Sequence, residues 1–411
     1  MNDAAKKRLL GGIGEAFSDR NFRVYSVGSI ASWASYFVQL VAVSWLTWEL
    51  TGSTVWLAAM ALLDIVPGVI LMPFTGAFAD RHDRHRIMIW ACGLSLIQAG
   101  ALAVLAWIDM LSLVPLAILV FIHSVLIAFM VPAMYGTLPR FISRDVLASA
   151  IAVSSSYVQI AIFAGPAFAG WIISIYGVSW AFFVNALGYA ILTVAFAALK
   201  TPDGYQQIAP EPGSVREQIV GGARYLLEDR RILTFLILGV LVNAMTMGIY
   251  HMMPAYSELV LGMGVIGMTL VLSAEGAGAT LAALWMARGG TKLATDDRVI
   301  WSVLAALITC ALLISVSNLY VALAVAFALG IAAEIRKTGT MTIVQMSVDE
   351  RQRGRVMGTW YMLAQIAGGL GTFGIGQAAA RFGLQVPTVI GAGLCIGVWL
   401  IIAINRKRLI R

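Results

Sequence analysis

Asp64, Glu275, Glu334, Arg336 and Lys337 stand inside stretches that carry almost no other charge. An ionisable side chain in such a setting is costly to bury and is kept where it pairs, moves a proton or meets a charged ligand. A carboxylate shielded from water can take up and give back a proton as its surroundings wet and dry. Asp64, Glu275 and Glu334 are therefore candidate proton carriers. Asp64, three residues before Pro67, also fits a structural or gating role. Arg336 and Lys337 are two cations beside one acid, Glu334, and the excess charge would draw an anionic or catecholate-like ligand. The alternative is a neutral knot in which Glu334 pairs with one neighbour. A second cluster, Gly76-Ala-Phe-Ala-Asp80-Arg81-His-Asp83-Arg84-His85-Arg86-Ile-Met, packs opposite charges between two long apolar runs. That is the composition of a charged hinge.

The elements that must carry these residues are membrane helices. The chain of 411 residues is 60% hydrophobic and 12% charged, where a soluble domain carries about 25% charged residues. A span needs about 20 apolar residues. Twelve stretches qualify: 22–47, 53–79, 87–107, 112–135, 147–175, 179–198, 232–257, 264–288, 299–317, 319–345, 355–380 and 385–405. Backbone groups in lipid must be satisfied within their own segment, so runs of this length are helices. No ten-residue alternating pattern recurs, which excludes a barrel.

Placement of charge fixes the expected topology. All of the 28 lysines and arginines except Arg336, Lys337 and Arg381 fall in the N-terminal tail, the even-numbered loops and the C-terminal tail. Basic residues accumulate on the cytoplasmic side, so both termini are expected there and the net charge of +7 reflects topology, not a nucleic-acid partner. No cleavable signal peptide is read at the N-terminus. Cys92, Cys310 and Cys395 show no paired spacing and imply neither a disulfide framework nor a metal site. Gly369-Leu-Gly371-Thr-Phe-Gly374 matches a dinucleotide pattern literally, but it lies within an apolar helix with no preceding strand. No phosphate-binding loop, cofactor or enzyme signature is present, so energy must come from an ion gradient or from the ligand's own gradient.

The chain divides near its middle. A polar stretch, 200–231, rich in Pro and Gly and ending in an amphipathic run, separates 1–199 from 232–411. Shifting by 206 residues sets Gln159-Ile160-Ala161 on Gln365-Ile366-Ala367, Gly165 on Gly371 and Gly170 on Gly376. At a shift of 210, Asp19-Arg20-Asn21-Phe22 resembles Asp229-Arg230-Arg231-Ile232. Two six-helix bundles joined by a cytoplasmic linker, with a ligand between them near the midplane, suit alternating access.

Gly76-x-x-x-Asp80-Arg81-x-Asp83-Arg84-x-Arg86 resembles the loop motif of the major facilitator superfamily. Its Ala-Asp-Arg-x-Asp-Arg form is most similar to the branch of enterobactin exporters and macrolide efflux proteins. Gly165-Pro166 with Gly170 resembles the superfamily's antiporter motif, although Ala161 and Ala169 stand where glycines are usual. The resemblance implies a gating role for Gly76, Asp80, Arg81, Arg84, Arg86, Gly165 and Pro166. Arg353 and Arg355 are the expected partners of Asp80 from the other half, closing a latch on the cytoplasmic side. His82 and His85 read as two further polar positions of the loop. Span four holds no arginine, so the usual route of proton coupling is missing there.

Polar stripes locate the cavity. Span one carries Ser26, Ser29, Ser32, Ser35, Tyr36 and Gln39, and span seven carries Asn243, Thr246, Tyr250, His251 and Ser257. Serines at such spacing also serve helix packing. The larger Tyr36, Gln39, Asn243, Tyr250 and His251, with His123, Tyr157 and Gln159, are candidate ligand contacts beside Arg336 and Lys337. The expected protein is a monomeric, all-α exporter of a small amphipathic or anionic molecule, a siderophore-like metabolite or a drug, in exchange for protons across the bacterial inner membrane. An uptake transporter, a lipid flippase or a membrane sensor of the same shape are the other readings.

Overall fold

The computed structural model describes residue 14 and residues 17–141, 144–199, 215–289, 292–349 and 352–409. They fold into helices, with no strand among them. In chain order these are α1 (Arg20–Thr51), α2 (Thr54–Arg81), α3 (Arg84–Trp107), α4 (Leu113–Phe141), α5 (Arg144–Tyr176), α6 (Val178–Ala198) and α7 (Val215–Glu228). They are followed by α8 (Arg230–Tyr256), a π-helical turn (Ser257–Leu261), α9 (Gly264–Gly289), α10 (Asp296–Ser315), α11 (Leu319–Ser347), α12 (Arg353–Phe382), α13 (Gln385–Ile404) and the short α14 (Arg406–Leu409). Eleven of these helices are long and apolar enough to cross a membrane. The long α12 joins them in length but is diluted by its glycines, Gln365, Gln377 and its terminal arginines. All twelve expected spans therefore correspond to helices, and the short α7 occupies the amphipathic end of the polar stretch.

The solvent these helices are built for is lipid. On α3 the buried side carries Ser95, Gln98 and Cys92, while Trp90 and Ile97 are 72% and 68% exposed. Gln98 Nε2 donates to the Leu119 carbonyl at 3.1 Å. Polar groups inward and large apolar groups outward invert the soluble pattern, as hydrocarbon surroundings require.

Aspartates and an asparagine start the helices as N-caps do. Asp83 accepts from His85 N at 2.9 Å to open α3, and Asn318 accepts from Tyr320 N and Val321 N to open α11. The echo between the chain's halves extends to this detail. Asp19 accepts from Phe22 N at 3.1 Å, and Asp229 accepts from Ile232 N at the same distance.

The chain forms two compact units. The first comprises Met1–Val43 and Ile70–Pro212. Its core gathers Phe22, Tyr25, Met88, Cys92, Met130, Tyr189 and Phe196 from α1, α3, α4 and α6. The second comprises Ser44–Val69 and Gly213–Arg411, so the end of α1 and the beginning of α2 pack with the C-terminal helices. Thr54 Oγ1 donates to the Gly376 carbonyl at 2.9 Å, and Gly369 lies against Leu62 and Ile65.

Within each unit one glycine contact repeats the sequence duplication. A Cβ on Gly165 of α5 would stand 2.6 Å from Phe37 Cβ of α1, and Gly371 of α12 abuts the backbone of Ala244 of α8. Residues 37 and 244 differ by 207, the glycines by 206. Gly165 and Gly371 thus do matching work: each lets its helix approach the first span of its own half.

Candidate functional site

In the second unit α9 and α11 form a close crossing at two glycines. A Cβ on Gly330 would strike the Glu275 carbonyl, and one on Gly278 would strike the Phe327 carbonyl. This fixes Glu275 at the level of Gly330, with Glu334 one turn and Lys337 two turns further along α11 at 3.6 residues per turn.

Both Glu275 and Lys337 point away from the apolar exposed faces of their helices. On α9 that face runs through Ile266, Leu270, Leu281 and Leu284. At 3.6 residues per turn, the partly exposed Glu275 lies roughly opposite. On α11 the apolar face runs through Val321, Ala324 and Ala328, and Lys337, with Met341 and Gln345, forms a second exposed face about half a turn away. A helix with an aliphatic face and an opposite charged face borders two media, lipid and water.

Glu334 is the hub of the charged group. Its carboxylate accepts from Thr338 Oγ1 at 2.6 Å and from Lys337 Nζ at 3.4 Å. The side chains of Lys337 and Glu334 are 58% and 9% exposed. Arg336 is buried, donates to the Gly239 carbonyl at 3.4 Å, and leaves Nε without a partner among the described residues. It lies within electrostatic reach of Glu334 and of Cys310, and Glu275 reaches Cys310 and the Tyr250 hydroxyl. Cys310 of α10 thus lies within electrostatic reach of both Glu275 and Arg336.

The remaining second-unit residues are divided between packing and the interior. Asp64 of α2 lies within electrostatic reach of the buried His251 of α8. Asn243 Nδ2 is taken up by the Ala364 carbonyl at 2.7 Å and ties α8 to α12.

The first unit holds a separate aromatic cluster. His123 Nε2 is 2.8 Å from Tyr189 Oη, and the Tyr36 ring stacks on the imidazole with centroids 6.2 Å apart. Tyr157 donates to Ser26 Oγ at 2.9 Å. Gln39 is buried with Oε1 unpartnered among the described residues, and Gln159 is partly exposed. Sequence reasoning missed Tyr189. Its signal was Asn185 and Tyr189 four residues apart on one face of a largely apolar span, with Asn185 Nδ2 donating to the Ser35 carbonyl at 2.9 Å.

The loop cluster braces helix ends. His85 Nε2 is 2.6 Å from the Phe196 carbonyl and joins the start of α3 to the end of α6. His82 Nδ1 is 2.9 Å from the Phe78 carbonyl, and its ring stacks on Phe78. Arg86 stands 3.9 Å from Asp83, an exposed pair of little energetic weight. Gly76 has open space around it, and Thr75 Oγ1 beside it donates to the Ala128 carbonyl at 2.6 Å. Arg81 is exposed, Arg84 partly buried, and Pro166 lies inside α5 one residue after the Phe37 contact. Arg355 has a buried Nε with no partner among the described residues. The side chains of Asp80 and Arg353, the expected latch, lie outside the described residues.

Comparison with known proteins places this geometry. Residues 15–409 match the family described as "Transmembrane secretion effector". The macrolide efflux protein A of Streptococcus pyogenes is 26% identical over 237 residues, 57% of this chain and 58% of that protein's length. The staphyloferrin A transporter of Staphylococcus aureus is 23% identical over 178 residues, 41% of this chain and 44% of that one. The chain thus spans about half the length of these relatives. Among solved structures, a POT family transporter in complex with 5-aminolevulinic acid superposes with a TM-score of 0.75 at 11% identity, over 96% of this chain and 97% of the other.

Proposed function

Because the chain belongs to the transmembrane secretion effector family of the major facilitator superfamily, we propose that it is a secondary active exporter working by alternating access. It is a multi-pass membrane transporter with a small-molecule substrate, not an enzyme. The substrate is a small amphipathic molecule, siderophore-like or drug-like, moved out across the bacterial inner membrane in exchange for protons. The two named relatives, one for macrolides and one for staphyloferrin A, support both substrate kinds. The halves 1–199 and 232–411 rock about the linker 200–231, with both termini cytoplasmic and the protein acting as a monomer.

The observation that carries this reading is the inward placement of Glu275 and Lys337, opposite the aliphatic faces of α9 and α11. Ionisable groups facing away from lipid in a transporter fold are the substrate and proton contacts. Lys337, held only by Glu334 at 3.4 Å and largely exposed, can turn to an anionic group of the substrate, with Arg336 behind it. Glu275, Glu334 and Asp64 are the proton-exchanging carboxylates. Tyr36, Gln39, His123, Tyr157, Gln159, Asn243, Tyr250 and His251 line the path or hold its walls. Asp80, Arg81, Arg84 and Arg86 with Arg353 and Arg355 form the cytoplasmic gate, and Gly165 and Pro166 the hinge of α5.

Proteoliposomes test this. With an inward-acid gradient across everted vesicles, a macrolide or an iron-chelating hydroxycarboxylate should accumulate, and a protonophore should abolish the accumulation. Binding without movement would identify a sensor, and movement unaffected by the protonophore would exclude proton exchange.

A further inference from the structure

The turn between α9 and α10 carries three cations that no acid answers. Arg288 ends the α9 span and Asp296 opens the α10 span, so the turn lies where the membrane meets water. Arg288, Lys292 and Arg298 are exposed and make no ion pair among the described residues. The two acids beside them are already taken, Asp296 by Arg231 at 2.9 Å and Asp297 by Arg406 at 2.8 Å.

One of the three cations is held in place. The Arg298 guanidinium stands 5.7 Å from the centre of the Trp285 ring, within range of a cation–π contact. Its Nη1 donates to the Lys292 carbonyl at 3.1 Å. A guanidinium has several further N–H donors, and these are left for another partner. The stacked pair faces lipid. Met286 and Val299, the next residue along each helix, are buried and lie against Gly339 of α11, so Trp285 and Arg298 stand on the outer side of that junction. Leu281 and Leu284 continue the exposed face of α9 from Trp285, and Trp301, Ile308 and Leu312 continue that of α10 from Arg298.

We infer that Arg288, Lys292 and Arg298, with Trp285 as their platform, bind the phosphate headgroup of an anionic phospholipid whose acyl chains lie along the aliphatic faces of α9 and α10. Basic side chains at the ends of membrane helices attract anionic headgroups. Tryptophan rings settle at the headgroup level, and a guanidinium matches phosphate with paired hydrogen bonds. A basic residue that served topology alone would have no use for a ring and a carbonyl that fix its position. The leaflet is the cytoplasmic one in the topology proposed above, and the site depends neither on what is transported nor on the direction.

Native mass spectrometry of the full chain in detergent tests this, with dioleoylphosphatidylglycerol titrated against dioleoylphosphatidylcholine. The wild type should retain the phosphatidylglycerol in preference. A cation at a membrane surface contributes about five-fold to such binding. Arg298→Gln should therefore weaken phosphatidylglycerol binding about five-fold, and Arg288→Gln, Lys292→Gln and Arg298→Gln together about a hundred-fold. Trp285→Leu removes no charge and should still weaken it roughly three-fold by loss of the stack. Trp285→Phe should keep most of the affinity, which separates a lost stack from a lost fold. Arg408→Gln removes an exposed cation of α14 and should change nothing. Equal weakening by Arg408→Gln and Arg298→Gln, or undiminished binding by Trp285→Leu, would reduce the site to general basic charge and overturn the inference. Displacement of the lipid by millimolar inorganic phosphate would overturn it too, by assigning the cations to a soluble anion.

Discussion

Replacing Glu334 by Gln should lower the stability of the folded protein by about 3 kcal/mol, the cost of leaving a buried cation uncompensated. The substitution keeps the size of the side chain and still offers an oxygen to Thr338 Oγ1, now at 2.6 Å. What disappears is the charge that faces Lys337 at 3.4 Å and lies within reach of buried Arg336. Lys337 is 58% exposed and can turn to water. Arg336 cannot, since it is buried with one long bond to Gly239. Thermal unfolding in detergent reads the effect as a lower midpoint. A second substitution, Lys337→Gln, should recover little of the loss, and Arg336→Met in the same background should recover most of it. Equal recovery from both would show that Arg336 is not the charge at stake.

The second large effect belongs to a residue with no chemistry of its own. Gly330→Ala should cost about 3 kcal/mol or more, at the upper end of what overpacking costs, because the new Cβ meets the Glu275 carbonyl, and backbone cannot step aside as a flexible side chain can. The α9–α11 crossing would have to open, and Glu275 would move with it. Gly374→Ala on α12 is the control. Nothing lies within 4 Å of its added Cβ, and alanine's better helix propensity should leave stability unchanged or slightly raised, by no more than about 1 kcal/mol. Comparable thermal midpoints for the two variants would contradict the crossing.

These two residues mark what the chain reveals when read linearly and what it does not. Span positions were legible because twenty apolar residues in a row have no other stable home. A pairing of Glu334 with one of its cationic neighbours was legible because the residues lie within one turn of a single helix. The position of Glu275 against α11 was not. Two cations and one acid on α11 could be counted along one helix, but the level at which Glu275 stands beside α11 follows only from the meeting of Gly330 with its carbonyl. Tyr189 and His123 are 66 residues apart, and neither side chain announces the other. Helix-to-helix partners depend on which faces meet, and in lipid the periodicity that marks faces in soluble helices is blurred because outward and inward positions are both apolar. The small residues carried more of that information than the large ones did, as the matching contacts of Gly165 with Phe37 and Gly371 with Ala244 show.

The central claim is that Lys337 and Glu275 border water while the opposite faces of their helices border lipid. It is tested most directly by single cysteines placed in a chain whose Cys92, Cys310 and Cys395 have been replaced, probed in native membranes made permeable to small polar reagents. Lys337→Cys should react with a charged, membrane-impermeant methanethiosulfonate, whereas Ala328→Cys should resist it and react with a lipid-soluble maleimide. If Lys337→Cys resisted the charged reagent as fully as Ala328→Cys does, no wet interior would exist at this site and the transport mechanism built on it would fall.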